Sequence, residues 1–231
     1  MAEDWDNGGK VLKKSKEIVR QFLRFYIMAE SIEENILLCS LLYYNEHRNS
    51  REEVEKMSKG IIIYQSKYGS TKKYVQWLQE ATGYDVIEVK KAKADTMDSY
   101  DIVVLCGAVY ASGIAGISYL RKNKNALSGK QAAIFCVGAS PYDEKALKEI
   151  KEHNLKEDLR DIPMFYGRGA WDEETMTFTD RTMCRMLQKA VGKKDPSAYE
   201  PWMKALMCAV GQKCDWTDKK YLEPLIEYIE Q

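Results

Sequence analysis

Two short runs of this sequence are apolar at every position, which limits the kind of sheet that the chain can form. Residues 102–106 read Ile-Val-Val-Leu-Cys and residues 132–136 read Ala-Ala-Ile-Phe-Cys. A strand with one face in water alternates apolar and polar residues. A strand that is apolar on both faces is typical of the middle of a parallel sheet covered by helices on each side. In chain order, the predicted strands are residues 60–65, 85–89, 101–107, 131–138 and 162–165.

Helical patterns separate these strands. Residues 71–82, 117–125 and 143–153 each connect two predicted strands, and residues 180–191 and 218–229 follow the last strand. Regular alternation of strand and helix indicates an α/β fold with a parallel sheet. We therefore predict a doubly wound five-stranded parallel sheet with the strand order 2-1-3-4-5.

The first 56 residues differ from the rest of the chain. Apolar residues between positions 11 and 47 recur at helical spacing, and Ser31 followed by Glu34 is a capping-box pattern. We predict a helical segment at residues 1–56 and an α/β domain at residues 57–231. The segment is either an extension or fusion appended to the domain, or a helical cap that is integral to it. Because two short helices cannot bury the apolar residues 36–44 alone, homodimerisation through them is a further hypothesis.

The composition argues against several classes of protein. The 35 basic and 35 acidic residues give a formal net charge of +0, which disfavours electrostatic binding of nucleic acid. No apolar run approaches the roughly 20 residues of a membrane span, so no integral membrane segment is expected. The acidic start is not a signal peptide, so we expect a cytoplasmic protein. Six cysteines without a C-x-x-C pair and only two histidines favour neither a disulfide framework nor a metal site.

The loop after the first strand has the composition of a phosphate site. Ser66, Ser70 and Thr71 supply hydroxyl groups, Gly69 allows close approach of the backbone, and Lys67 adds a positive charge. The predicted helix that follows presents its N-terminal N–H groups at the same place. The loop has neither a Walker A ending nor a G-x-G-x-x-G pattern. The alternative is an ordinary turn in which Thr71 caps the helix.

Two further loops meet the first at the carboxyl edge of the predicted sheet. Residues 107–116 are mostly glycine and alanine with one aromatic residue, Tyr110, and residues 137–142 end in Tyr142. Small residues leave room for a flat ligand, on which an aromatic ring can stack. Ligands of such sheets bind at this edge, beside the point where the strand order reverses. The three loops therefore predict a slot for a planar ring whose phosphate rests on the first loop.

The sequence of the first strand, loop and helix resembles the phosphate-binding signature of the flavodoxins. The pattern is Ile62-Ile63-Tyr64-x-Ser66-x-x-Gly69-x-Thr71-x-x-x-Val75-x-x-Leu78, with Val75 where alanine is usual. The resemblance continues through residues 107–110 and 165–169 to Asp-Trp-Thr at 215–217. This longer pattern is similar to the flavodoxin branch that contains the menaquinone-dependent protoporphyrinogen oxidases. It covers about residues 58–230.

The resemblance implies a flavodoxin-like fold, FMN as the cofactor, and no catalytic side chain of the protein's own. It implies phosphate contacts from residues 66–71 and isoalloxazine contacts from residues 108–113 and 138–142, with residues 167–171 close to the ring. The cofactor-binding residues expected from it are Ser66, Lys67, Tyr68, Gly69, Ser70, Thr71, Ala108, Val109, Tyr110, Ala111, Ser112, Gly113, Gly138, Ala139, Ser140, Tyr142 and Gly167.

Three functions are compatible with the sequence. The favoured one is an electron carrier that serves redox partner proteins or a small electron acceptor. The alternative is a flavin-dependent oxidoreductase of the protoporphyrinogen oxidase or quinone-reductase type. The third is a phosphate-accepting receiver domain, which needs acidic residues at the strand ends. Gln65-Ser66 and Cys106-Gly107 stand there instead, and this disfavours the receiver.

Overall fold

A computed structural model describes residues 59–231 of the protein. The two helices expected within residues 1–56, and the homodimer expected through them, lie outside the described residues.

The centre of the domain is a parallel sheet in the order β2-β1-β3-β5-β6, with β4 paired to the end of β3. β1 pairs in parallel with β2 on one side and with β3 on the other. Successive strands are therefore added on opposite sides of β1, and the strand order reverses between β1 and β3. The predicted strand order is therefore confirmed. The strands are β1 (Gly60–Gln65), β2 (Asp85–Glu88), β3 (Ile102–Tyr110), β4 (Gly113–Ile114), β5 (Gln131–Gly138) and β6 (Met164–Arg168).

Helices cover both faces of this sheet, as the fully apolar strands β3 and β5 require. α1 (Ser70–Thr82) and α6 (Glu223–Ile229) pack on one face through residues such as Leu78 and Leu225. α2 (Ile117–Lys122) packs on the other through Leu120, beside α3 (Glu144–Asn154). Alternate residues of one strand belong to different cores. Ile61 and Ile63 join the α2 side and Ile62 joins the α1 side.

Several predicted bounds were wrong, and the largest error concerns the loop after β3. β3 runs on to Tyr110 and turns back into β4, so the predicted small-residue loop is mostly a β-hairpin. Val109 and Tyr110 favour strand structure, and antiparallel pairing to β4 satisfies their backbone groups. The last sheet strand, β6, ends at Arg168 rather than at residue 165. Residues 219–222 form a 3₁₀ turn before α6, where the sequence predicts one continuous helix.

A long insertion separates β6 from α6. It contains β7 (Ala170–Trp171), α4 (Phe178–Val191), α5 (Pro201–Cys208) and β8 (Cys214–Asp215). β7 and β8 pair antiparallel and form the base of the insertion. The insertion has a small hydrophobic core of its own, formed by Trp171, Val191, Met203, Leu206 and Ala209.

Gly167 of β6 is a position at which packing demands the smallest residue. A Cβ atom there would lie 2.6 Å from Cζ of Phe135 and 2.9 Å from Cζ of Tyr74. We predict that Gly167→Ala lowers the free energy of unfolding by about 1–3 kcal/mol, because the core is overpacked. Urea unfolding measures the change.

A double-mutant cycle gives the control for this prediction. Phe135→Leu removes the atom nearest to the new methyl group, so the double variant should lose less stability than the sum of the two single changes. Strictly additive losses would show that the Phe135 ring is not what excludes a side chain at position 167.

Candidate functional site

A cavity of about 700 Å3 lies at the carboxyl ends of β1, β3 and β5. This is the edge of the sheet at which the strand order reverses, where ligands of doubly wound folds bind. The first loop, the β3–β4 hairpin, the end of β5 and the insertion all contribute to its wall. The lining residues are Ser66, Lys67, Tyr68, Ser70, Thr71, Ala108, Val109, Tyr110, Ala111, Val137, Gly138, Ala139, Gly169, Ala170, Trp171, Met176, Asp180, Met183, Cys184, Met186, Leu187 and Ala190.

The structure brings most of the predicted site residues together at this cavity. The first loop supplies all of its predicted residues except Gly69, the hairpin supplies residues 108–111, and the end of β5 supplies Gly138 and Ala139. Tyr142 is 64% exposed, and Gly167 is buried in the sheet core. The predicted residues that do not line the cavity are Gly69, Ser112, Gly113, Ser140, Tyr142 and Gly167.

The first loop is shaped by Gly69, which caps the N-terminus of α1 with φ of +96°. Only glycine adopts this backbone conformation without strain, so the sequence has glycine where the loop enters the helix. The Ser66 hydroxyl oxygen accepts hydrogen bonds from the N–H groups of Gly69 at 3.2 Å and Lys72 at 3.4 Å. The N–H groups of Ser70 and Thr71 have no acceptor within residues 59–231. The helix therefore presents two unsatisfied donors to the cavity.

Thr71 is the most deeply buried polar residue of the cavity wall. It is 1% exposed, and its hydroxyl has no hydrogen-bond partner in the described part of the chain. The residue as a whole is buried, but its hydroxyl keeps access to the cavity. Together with the free N–H groups, the hydroxyl offers donors to a ligand oxygen at this place. The neighbouring hydroxyl of Ser70 is engaged, because it accepts a hydrogen bond from the N–H of Ala170 at 3.1 Å.

Asp180 of α4 ties the insertion to the first loop. Its carboxylate accepts hydrogen bonds from the ammonium group of Lys67, at 2.5 Å, and from the hydroxyl of Tyr68. The Lys67 contact is the main cause that lowers the pKa of Asp180, and the same contact raises the pKa of Lys67. The positive charge expected from Lys67 is thus neutralised within the protein.

The β3–β4 hairpin forms the wall opposite the insertion through Tyr110 and Ala111. Ala111 and Ser112 are its two turn residues, and their φ values of +45° and +66° are both left-handed. Such a turn favours Asn-Gly, and a left-handed alanine or serine costs on the order of 1–3 kcal/mol. The returning strand fits only because residue 107 is glycine, where a Cβ atom would lie 2.1 Å from the carbonyl oxygen of Ala115.

Two residues of the neighbouring strand β6 hold the loop after β5 through hydrogen bonds. The Tyr166 hydroxyl donates to the carbonyl oxygen of Ser140 at 2.7 Å, and Nε of Arg168 donates to that of Ala139 at 3.0 Å. The Arg168 guanidinium also lies 3.8 Å from the ring centre of Trp216. Burial raises the pKa of Tyr166, which keeps the phenol protonated as a donor. These contacts fix Gly138 and Ala139 at the cavity.

The cavity wall that α4 provides was not predicted from the sequence. Met183, Met186, Leu187 and Ala190 recur at helical spacing and all line the cavity. Met186 nevertheless remains 66% exposed, so this apolar face is not covered by other described residues. The spacing was visible in the sequence, but periodicity alone does not tell a cavity wall from an ordinary core face.

Residues 59–231 contain neither a metal-ligand cluster nor a membrane-spanning helix. No group of three or more His, Cys, Asp or Glu residues there is arranged to hold a metal ion. No helix in this range has the length and apolar character needed to cross a bilayer. Cys106 and Cys136 are buried in the sheet, and burial raises the pKa of both thiols, so they pack as apolar side chains.

Comparison with known proteins decides the family. A family model described as "Flavodoxin domain" matches residues 61–198, which is more than half of the chain. The chain belongs to the flavodoxin family. The match spans the first loop, the hairpin, the loop after β5 and the whole of α4. No curated protein matches the chain.

Solved structures similar to this flavodoxin chain include three from bacteria. The Trp repressor binding protein of Bacillus subtilis is 18% identical, with a TM-score of 0.38, over 48% of this chain and 85% of its own. Two-electron reduced flavodoxin of Megasphaera elsdenii is 19% identical, with a TM-score of 0.35, over 46% and 82%. A flavoprotein of Lactobacillus acidophilus NCFM in complex with FMN is 17% identical, with a TM-score of 0.35, over 48% and 93%.

The Lys67–Asp180 contact predicts how Asp180 titrates. We expect Lys67→Met to raise the pKa of Asp180 towards its ordinary value of 3.8, because the largest cause of the lowering is lost. Tyr68→Phe should raise it by less. In the parent protein, the contact stabilises the fold above pH 3.8, and this stabilisation is lost as the pH falls through the lowered pKa. Carboxyl-carbon NMR titration measures the pKa.

Lys72→Met is the matched control for this titration. Lys72 is an exposed lysine of the same loop region and makes no ion pair with Asp180. It should leave the pKa of Asp180 nearly unchanged. An equal rise in both variants would mean that general positive charge, rather than the direct contact, holds the pKa down.

Proposed function

We propose that this flavodoxin-family protein binds FMN in the cavity and works as an electron-transfer protein. The observation that carries the proposal is the Thr71 hydroxyl at the cavity wall, which has no partner in the described part of the chain and lies beside the unsatisfied N–H groups of Ser70 and Thr71. These donors converge at the N-terminus of α1, where the helix dipole favours an anion. A phosphate monoester supplies the oxygens that such donors require.

The rest of the cavity suits a flat ring attached to that phosphate. The residues 108–111 and 137–139 are mostly small, which leaves space over the ends of β3 and β5. Tyr110 on the hairpin and Trp171 on the insertion provide aromatic faces. The indole N–H of Trp171 is buried and has no partner among the described residues. The donor set and the shape thus fit FMN.

The protein's part in electron transfer is to hold and screen the ring. FMN, when bound, supplies the reversible uptake of one or two electrons. The first loop anchors the phosphate, and the apolar side chains of α4 exclude water from one side of the cavity. The N–H group of Ala111, which lines the cavity, has no acceptor in the described range, so it can donate to a ring atom that gains electron density.

An oxidoreductase with its own apolar acceptor is the second candidate. It is favoured by α4, whose Met183, Met186 and Leu187 line the cavity and remain partly exposed. Such a wall suits a quinone better than a charged molecule. Asp172, Glu173 and Glu174 lie just before this wall. Asp172 and Glu173 are ion-paired with Lys213 and Arg185, so the charge of this run does not discriminate between acceptors.

The phosphate site predicts a selective loss of affinity in Thr71→Val. Valine keeps the shape of threonine and removes only the hydroxyl. We expect the variant to bind FMN about 10- to 100-fold more weakly, which is the usual worth of a hydrogen bond to a charged group. Riboflavin, which lacks the phosphate, should bind the variant and the parent protein equally. Fluorescence quenching of added flavin measures both affinities.

Thr82→Val provides the control at the other end of the same helix. The hydroxyl of Thr82 donates to the carbonyl oxygen of Leu78 at 2.8 Å, far from the cavity in sequence and absent from its wall. This variant should bind both flavins normally. If Thr71→Val loses affinity for FMN and riboflavin equally, the Thr71 hydroxyl does not contact the phosphate. Parent protein that binds neither flavin would refute the proposed function itself.

The two candidate roles differ in what Met186 contributes. If a quinone is reduced directly at the cavity, Met186→Lys should lower kcat/KM for a water-insoluble quinone by about tenfold, because a charge enters the apolar wall. Phe178→Lys is the control, since Phe178 is an exposed apolar residue of the same helix that does not line the cavity. If the reduced parent protein does not reduce quinones, the oxidoreductase candidate is excluded and the electron-carrier role is retained.

A further inference from the structure

Asn154, the last residue of α3, reaches the β3–β4 hairpin from outside the cavity. Its side chain is 2% exposed. Its carbonyl oxygen accepts a hydrogen bond from the N–H of Ile114 at 3.0 Å. Its amide nitrogen donates to the carbonyl oxygens of Ser112, at 2.6 Å, and Ile150, at 2.8 Å. Asn154 therefore contacts the hairpin on both sides of Gly113.

The three groups around this side chain require an amide. One is a donor and two are acceptors, and asparagine offers one acceptor oxygen and two N–H donors. An aspartate would oppose two carbonyl oxygens with a negative charge, and a leucine would leave the Ile114 N–H and the Ser112 carbonyl oxygen without this partner. The match explains why a buried polar residue stands at this position.

The segment that Asn154 holds is the most strained part of the cavity wall. Ala111 and Ser112 are both left-handed although neither is glycine, and Ala111 lines the cavity. Strained turns persist only where their surroundings over-determine them. Within the described residues, the side chain that bonds to the backbone of this turn is that of Asn154.

Asn154 is itself fixed by α2. Nε and Nη2 of Arg121 donate to the backbone carbonyl oxygen of Asn154 at 3.3 and 2.7 Å. α2 follows the hairpin directly in sequence, so the hairpin, α2 and the end of α3 form one hydrogen-bonded unit. The position of Ala111 at the cavity is therefore set from outside the cavity.

We propose that Asn154 is a positioning residue for the bound flavin. By holding the Ala111–Ser112 turn in its left-handed form, it sets the distance and direction of the free N–H group of Ala111 relative to the ring. That donor interacts more strongly with a ring that has gained electrons. Loss of Asn154 should therefore shift the reduction potential as well as weaken binding. The inference rests on the proposed FMN site.

Asn154→Ala and Asn123→Ala form a matched pair of variants. Asn123 stands at the C-terminal end of α2, where its side-chain amide donates to the carbonyl oxygen of Tyr119 at 2.9 Å without touching the hairpin. In protein without flavin, Asn154→Ala should speed amide hydrogen exchange of Ile114 about tenfold and leave the centre of β1 unchanged. In flavin-loaded protein, it should weaken FMN binding about tenfold and shift the midpoint potential. Asn123→Ala should change none of these quantities.

Rescue separates positioning from general stability. Glycine adopts the left-handed conformation without strain, so Ser112→Gly added to Asn154→Ala should recover part of the FMN affinity. If Asn154→Ala does not fold, Arg121→Met should give a smaller shift of the potential in the same direction, because it frees Asn154 without removing its side chain.

Two outcomes overturn the inference. Faster exchange at Ile114 with an unchanged potential and FMN affinity would make Asn154 a purely structural residue. Equal effects of the Asn154 and Asn123 variants would do the same. Failure of the proposed function can be told apart from failure of this inference. In that case the parent protein itself binds no FMN, and Asn154 has no flavin to position.

Discussion

The parallel pairing of β3 with β1 on one side and β5 on the other is the constraint on which the rest of the structure depends. It brings three carboxyl ends to one edge of the sheet and sends the chain to opposite faces from β1 and β3. β3 and β5 are apolar on both faces over residues 102–106 and 132–136, so helices must cover both faces of the sheet. The crevice between the first loop and the hairpin is a consequence of that pairing, and the cavity lies there.

The insertion turns this crevice into a cavity. Without it, the loops after β1, β3 and β5 would form a shallow edge. Trp171 and the apolar face of α4 supply the missing wall, and β7 and β8 attach that wall to the end of β6. The insertion also has its own core around Val191 and Met203, so α4 is supported from behind. The same helix leaves Met186 open to solvent, which is the observation behind the second candidate function.

The sequence allowed the sheet and one half of the site to be predicted. Period and composition identify β3 and β5, and alternation with helices gives the strand order. The hydroxyl-rich loop could be placed at the ligand-binding edge of the sheet because it lies at a strand-to-helix junction, and it lines the cavity there. The hairpin could not be predicted, since Ala111-Ser112 is not a turn sequence that favours left-handed residues. The role of Asn154 also escaped prediction, because its partners at 112 and 114 are distant in sequence.

The two ties between the first loop and the insertion couple ligand binding to folding of the insertion. The Ser70 hydroxyl accepts a hydrogen bond from the N–H of Ala170 at the base of the insertion. Lys67 and Tyr68 donate hydrogen bonds to Asp180 on α4. The loop that anchors a ligand is therefore also a docking point for the segment that covers it. A ligand held at the N-terminus of α1, as proposed, would favour the ordered insertion, and the ordered insertion would in turn slow departure of the ligand. Residence time at the proposed site would then depend on residues 170–180 as much as on the loop after β1.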